Sequence, residues 1–184
     1  MTTYSSVKKY LRELATLTRQ LDLMLPARSP ARIRAHRVHS ERNDEALYEK
    51  WCTIRRQFFP DMDELDKYIV RWSPRCQKRV LASCNIHRRR ILVAQELNNS
   101  STSQWLEPIL YHEMCHAVIG HGVALSPSGK RQWHGKEFKE LEARHPQIKA
   151  LDSWIRSGGW AKAVRSHRSK VAWRSRKQGA TIGR

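Results

Sequence analysis

The segment that most constrains this chain is "LEPILYHEMCHAVIG", residues 106–120. A helix over this run is apolar on nearly every side, so other elements must bury it and the fold must be built around it. Pro108 is tolerated only in a first turn, which sets the start between residues 104 and 107. Gly120 and Gly122 supply the stop. Residues four apart share a helical face, with Cβ atoms about 5–6 Å apart. His112 and His116 therefore point the same way, and their ring nitrogens can meet at one cation. Glu113 follows the first histidine, close enough to hold a water there without being a ligand itself. The pattern is H-E-x-x-H, which suits zinc, a tetrahedral ion that accepts imidazole. The bland alternative is a core helix whose two histidines are satisfied by hydrogen bonds.

A catalytic zinc site needs a third protein ligand and an open fourth position. The arrangement H-E-x-x-H-x-x-G-x-x-H fails here, because residue 119 is Ile and residue 122 is Gly. His121 lies five residues after His116, about 140° around the helix, and is poorly aimed. Glu137 and Glu140 are conceivable ligands. His134 is better placed: it precedes Gly135 at the start of a second helix, "GKEFKELEARH", after a loop long enough to fold back. Phe138, four residues on, faces the core.

Upstream, "EALYEKWCTIRRQFF" reads as a helix with Leu47, Trp51, Ile54 and Phe58 on one face, ended by Pro60 and Asp61. The segments "KYIVRW", "KRVLASCNI" and "RRRILVAQEL" read as three strands, the last two joined as a hairpin around His87 and Arg88. Asn98 to Ser103 offers N-cap residues for the motif helix. Beyond Pro146, "IKALDSWIRSGGW" reads as a short helical turn broken by paired glycines. The expected domain plan is an N-terminal amphipathic helix over 1–25, a basic linker over 26–43, a globular domain over 44–150 and a basic C-terminal tail over 151–184. The apolar stripe of the first helix is expected to pack on the same chain rather than in a coiled-coil dimer, three heptads being short. The protein is thus expected to be a monomer. His36 and His39, in the linker, are expected to be solvated.

"HEMCHAVIGHG" followed by "WHGKEF" resembles the SprT-like zinc metalloproteases, the family that includes the Spartan-type DNA-repair proteases, whose pattern is H-E-x-x-H followed by H-G-x-x-F. The resemblance extends over about residues 44–146. It implies that His112, His116 and His134 are zinc ligands, that Zn2+ is the cofactor and that Glu113 is the catalytic residue. The hydrolysis it implies uses Glu113 to take a proton from water and return it to the leaving amine. An extended peptide is expected to pair with an exposed strand beside the motif helix, "RRRILVAQ". A carboxylate should orient one ligand imidazole, but the sequence does not pick it. Tyr111 adjoins the motif but should face elsewhere. Two features of the pattern are missing: the tail carries no cysteine for a zinc ribbon, and there is no ubiquitin-binding zinc module.

The net charge of +18 points to a polyanionic partner, with nucleic acid first and an anionic membrane second. No apolar run approaches the roughly 18–20 residues needed to span a bilayer. The start of the chain lacks the apolar core of a secretory signal. Four cysteines without a C-x-x-C pair suit free thiols in a reducing compartment, with a Cys76–Cys84 disulfide as the lesser alternative. Residues 160–184 hold eight Lys or Arg and no acid. Trp160, Val164, His167 and Val171 fall on one helical stripe. Lys162, Arg165, Arg168, Lys170, Arg174, Arg176 and Lys177 are candidate phosphate contacts, with Trp160 and Trp173 available for base stacking. Deleting 160–184 is expected to weaken binding to single-stranded DNA.

The expected fold is an α/β (α+β), zincin-like one: a small, three- or four-stranded, mostly antiparallel sheet on the motif helix, with flanking helices. The expected function is a zinc-dependent endopeptidase acting on DNA-bound or DNA-crosslinked proteins. It would be intracellular, cytoplasmic and chromosome-associated, or nuclear in a eukaryote. The alternatives are a catalytically idle DNA-binding protein with a structural zinc and a regulatory metallopeptidase that cuts a repressor.

Overall fold

Asp44 opens the first described helix because its carboxylate accepts the Leu47 N–H at 3.1 Å, filling a backbone donor that the first turn leaves free. This computed structural model describes residues 42–120, 122, 129 and 132–181. The helix expected over 1–25, nearly all of the basic linker, and His121 lie outside the described residues. Helix α1, Glu45–Phe58, buries Leu47, Trp51 and Ile54. The Trp51 indole N–H donates to the Leu65 carbonyl at 2.8 Å, so its buried polar atom is satisfied. Phe58 is half-buried and meets Tyr111 edge-on at 4.7 Å.

Three short strands follow: β1 Ile69–Trp72, β2 Ala82–Asn85 and β3 Arg90–Val93. Their order is β1-β3-β2. Strand β3 runs parallel to β1, with Ile69 opposite Arg90, and antiparallel to β2, with Ala82 opposite Val93. The sheet is therefore evenly mixed, not mostly antiparallel. The whole segment 73–89, β2 included, acts as the crossover that a parallel pair requires. The tight β2–β3 turn matches expectation: Asn85 Oδ1 accepts the Arg88 N–H at 2.9 Å, and Arg89 takes a positive φ of 44°. This order also overturns the expected docking strand. Residues 90–93 of "RRRILVAQ" are paired on both sides, and among the described residues the open edge beside the motif helix belongs to β2.

Helix α2, Leu106–Ile119, carries the motif and follows a 3-10 turn over Ser103–Trp105. It is buried at Leu106, Ile109, Leu110, Tyr111, Met114 and Cys115, as its apolar composition requires. It packs between α1 and β2. The expected side-chain N-cap is absent. The polar loop before it bonds inward instead: Thr102 Oγ1 donates to the Leu97 carbonyl at 2.8 Å and Ser103 Oγ to that of Ser100 at 2.9 Å. Gly120 ends the helix at φ 59° and ψ −129°, a conformation open only to glycine.

Helix α3, Lys136–Glu142, buries Phe138. Helix α4, Ile148–Arg156, is longer than the turn expected there and buries Ile148 and Leu151. Gly158, at φ 83°, swings the chain into α5, Gly159–Thr181. A Cβ on Gly159 would lie 2.1 Å from Trp154 Nε1, and that indole is itself stacked on Trp105 at 5.2 Å. The early part of α5 is no loose tail. Trp160, Ala163 and Val164 are buried, and the Trp160 indole N–H donates to the Lys78 carbonyl at 3.2 Å. All four cysteines are free. Among the described residues, no helix is long and apolar enough to cross a membrane.

Candidate metal centre

One turn of α2 sets His112 and His116 side by side, with ring centroids 5.0 Å apart. His134 arrives from the segment before α3 and lies 5.3 Å from the first ring and 4.9 Å from the second. Its Nε2 is 3.1 Å from Nε2 of His116. One nitrogen from each imidazole falls within 4.8 Å of the other two. Two ligands on a tetrahedral ion with bonds of about 2.05 Å stand roughly 3.3 Å apart, so this donor set fits zinc's preferred size and chemistry. Glu137 and Glu140, the other conceivable ligands, are exposed outside the trio, and Glu140 pairs with Lys136 Nζ at 3.8 Å.

Two residues of α3 hold this arrangement. Phe138 is 2% exposed and touches all three rings, with centroids 5.1, 4.5 and 4.8 Å from His112, His116 and His134. One turn further, Glu142 Oε1 accepts from His112 Nδ1 at 2.5 Å. That bond keeps the proton on Nδ1 and leaves the His112 Nε2 lone pair for the cluster. Glu142 is the orienting carboxylate that sequence reasoning left unnamed. Its four-residue spacing from Phe138 was the available signal. Tyr111 faces away, as expected, and its hydroxyl donates to the Leu141 carbonyl at 2.7 Å.

The electrostatics separate the three imidazoles. Burial, reinforced by the neighbouring His112 and His134, pushes His116 down to about 4, so it is a neutral ring with a free lone pair at pH 7. Burial and His112 also lower His134. For His112 burial acts downward, but the Glu142 hydrogen bond and the charges of Glu113 and Glu142 outweigh it and raise the group overall. The same hydrogen bond lowers Glu142. Glu113 is buried at 6% exposure, and burial raises its carboxyl to about 7, against the charge of His112 and a backbone hydrogen bond from Cys84. A carboxyl poised near neutrality can both accept and return a proton.

These groups line a cleft of about 510 Å³. Residues 82–87, the open strand β2 and its turn, form one wall; His112, Glu113 and His116 form the floor; Trp133 and His134 close the far side. The Cys84 thiol beside it is raised to about 12 by burial and then by the charge of Glu113, so it remains a neutral thiol.

The basic candidates lie elsewhere, along α5. Lys162, Arg165, Arg168, Lys170, Arg174, Arg176 and Lys177 are all exposed. Trp173 is 54% exposed, with Lys177 Nζ 4.8 Å above its ring. Trp160 is a correction: it is 7% exposed and anchors α5 to the body, so it is not on offer to a base.

Compared with known families, residues 47–153 match the model of the SprT-like family. No curated protein matches the chain.

Proposed function

Because the chain belongs to the SprT-like family, a family of metalloprotease-like domains matched over more than half of this sequence, we propose that it is a zinc-dependent endopeptidase acting on proteins held on DNA. The observation that carries this reading is the grouping of three imidazoles beside the buried Glu113 in a cleft bounded by a strand edge that is unpaired among the described residues. The scaffold is read as zincin-like, with α2 supplying two ligands and the base, and β2 supplying the substrate wall.

His112, His116 and His134 would hold the ion. When bound, zinc supplies Lewis acidity, lowering the pKa of a water in its open position towards about 7 and polarising a carbonyl. The chain's own residues do the rest. Glu142 fixes the His112 tautomer, and Phe138 keeps the three rings from drifting apart. Glu113 takes the proton of the attacking water and hands it to the leaving amine. The substrate lies extended along the open edge of β2, where main-chain bonds hold it independently of its side chains. This replaces β3 as the docking strand. An edge that reads backbone rather than sequence suits a protease whose targets are defined by where they sit.

Recruitment falls to the exposed Lys and Arg face of α5 and to Trp173, backed by a net charge of +18. Such a surface neutralises phosphates, and an exposed indole can stack on an unpaired base. This reading puts the protein on intracellular nucleic acid.

The test is cleavage of a DNA-crosslinked protein by the wild type and by Glu113→Gln. The variant should lose about 10²–10⁴-fold in rate while keeping its metal and its DNA affinity. Cleavage that survives the substitution contradicts the assigned role. A wild type that binds DNA and metal but cuts no protein favours the idle DNA-binding alternative, and a wild type that cuts only one free repressor favours the regulatory one.

A further inference from the structure

A second group of metal-ligating side chains lies outside the cleft. Cys76, on the link between β1 and β2, Glu96, in the 3-10 turn over Gln95–Leu97, and His167, on α5, each offer one ligand atom within 4.8 Å of the others. Cys76 Sγ is 3.8 Å from His167 Nε2. A thiolate and an imidazole on one tetrahedral zinc stand about 3.6 Å apart, given bonds of roughly 2.3 and 2.05 Å. The separation admits a long S–H···N hydrogen bond and is also close to what a shared ion would set.

Glu96 supplies an independent sign. It is 0% exposed. Its Oε1 accepts the Gln77 N–H at 2.6 Å, while its Oε2 is buried with no hydrogen-bond partner. A buried carboxylate oxygen left in this way is unfavourable unless a cation or proton meets it. The loop that brings Cys76 to it is itself ordered: Ser73 Oγ donates to the Arg75 carbonyl at 2.8 Å and accepts from Gln77 Nε2 at 2.9 Å. One ligand is thus oriented by the same residue, Gln77, that follows another, as ligand carboxylates in metal sites usually are.

We propose that Cys76, Glu96 and His167 form a second metal site, for a divalent ion of the zinc class, that fastens α5 to the body of the protein. A thiolate, an imidazole and a carboxylate form a borderline-soft set suited to zinc or cobalt rather than magnesium or calcium. The three ligands come from three elements, so the ion closes the joint that Trp160 begins on Lys78. The site orders the first half of α5 and leaves the stretch beyond Val171, with Arg174, Arg176 and Lys177, to its partner. It does not depend on the protease reading.

Cobalt titration of the reduced chain tests the proposal, because of the two clusters among the described residues only this one would place a thiolate on the metal. The wild type should bind two equivalents and show thiolate-to-cobalt charge-transfer absorption in the near ultraviolet. Cys76→Ser should bind one equivalent without that band. His167→Ala should also lose the band, which distinguishes a built site from a lone thiol. A double variant, His112→Ala with His116→Ala, should keep the band and lose the other equivalent. Cys76 is exposed, so its substitution leaves the core untouched, and circular dichroism should be unchanged. A wild type that binds one equivalent with no thiolate band overturns the proposal, as does a band that persists in His167→Ala. One equivalent with the band present would instead support this site and count against the imidazole trio.

Discussion

Glu142 stands one helical turn beyond Phe138, so a single face of α3 both packs the three imidazoles and holds the proton of one of them. Orienting partners of this kind set ligand basicity as well as direction. Glu142→Ala should therefore weaken zinc binding by about 10–100-fold in competition with a chelator, with the helical content unchanged. Unaltered affinity would show that Phe138 alone suffices. At this scale the sequence was informative where chemistry follows from local period. The i,i+4 spacing of His112 and His116, the adjacency of Glu113 and the inward-facing Phe138 all needed only the geometry of a helix. The spacing of Glu142 from Phe138 set its face of α3 but not its partner, which lies 30 residues away, and only the packing of α3 on α2 brings the two together. Trp160 misled for a related reason: an aromatic within a basic run reads as a stacking residue until a neighbouring loop is seen to cover it.

At the level of elements, three strands and the helices over 45–58 and 106–119 could be read from apolar period and from Pro and Gly punctuation. Strand order could not. Residues 73–81 pass to the far side of where β3 will lie, a path that leaves no mark on alternation, and so β3 rather than β2 looked like the open edge. The extent of α4 and α5 was also hidden, because the Gly158–Gly159 pair reads as a break and in fact forms a sharp joint between two helices. That joint is testable. With Trp154 clamped against Trp105, a methyl group on Gly159 has nowhere to go. Gly159→Ala should cost about 1–3 kcal/mol in urea denaturation, the range for overpacking a filled site. A neutral result would mean that the indole is free to move.

Across the whole molecule, the net charge of +18 carries the expectation of a polyanionic partner, and the structure shows which of the candidate residues are exposed. The exposed charge of α5 is concentrated beyond the docked Trp160, Ala163 and Val164. Removing 160–184 would therefore strip core side chains along with the charge and confound the two effects. Replacing Arg174, Arg176 and Lys177 with Gln isolates the charge. On single-stranded DNA the slope of log affinity against log salt should shrink by about 0.7 for each phosphate the variant no longer neutralises. An unchanged slope would place the phosphate-binding residues elsewhere.

The central claim is that His112, His116 and His134 grip one ion together, and metal analysis of wild type beside His134→Ala tests it most directly. After identical dialysis against a trace of chelator, the wild type should retain one zinc equivalent per chain more than the variant, with both folded by circular dichroism. Equal zinc in the two proteins would contradict the account.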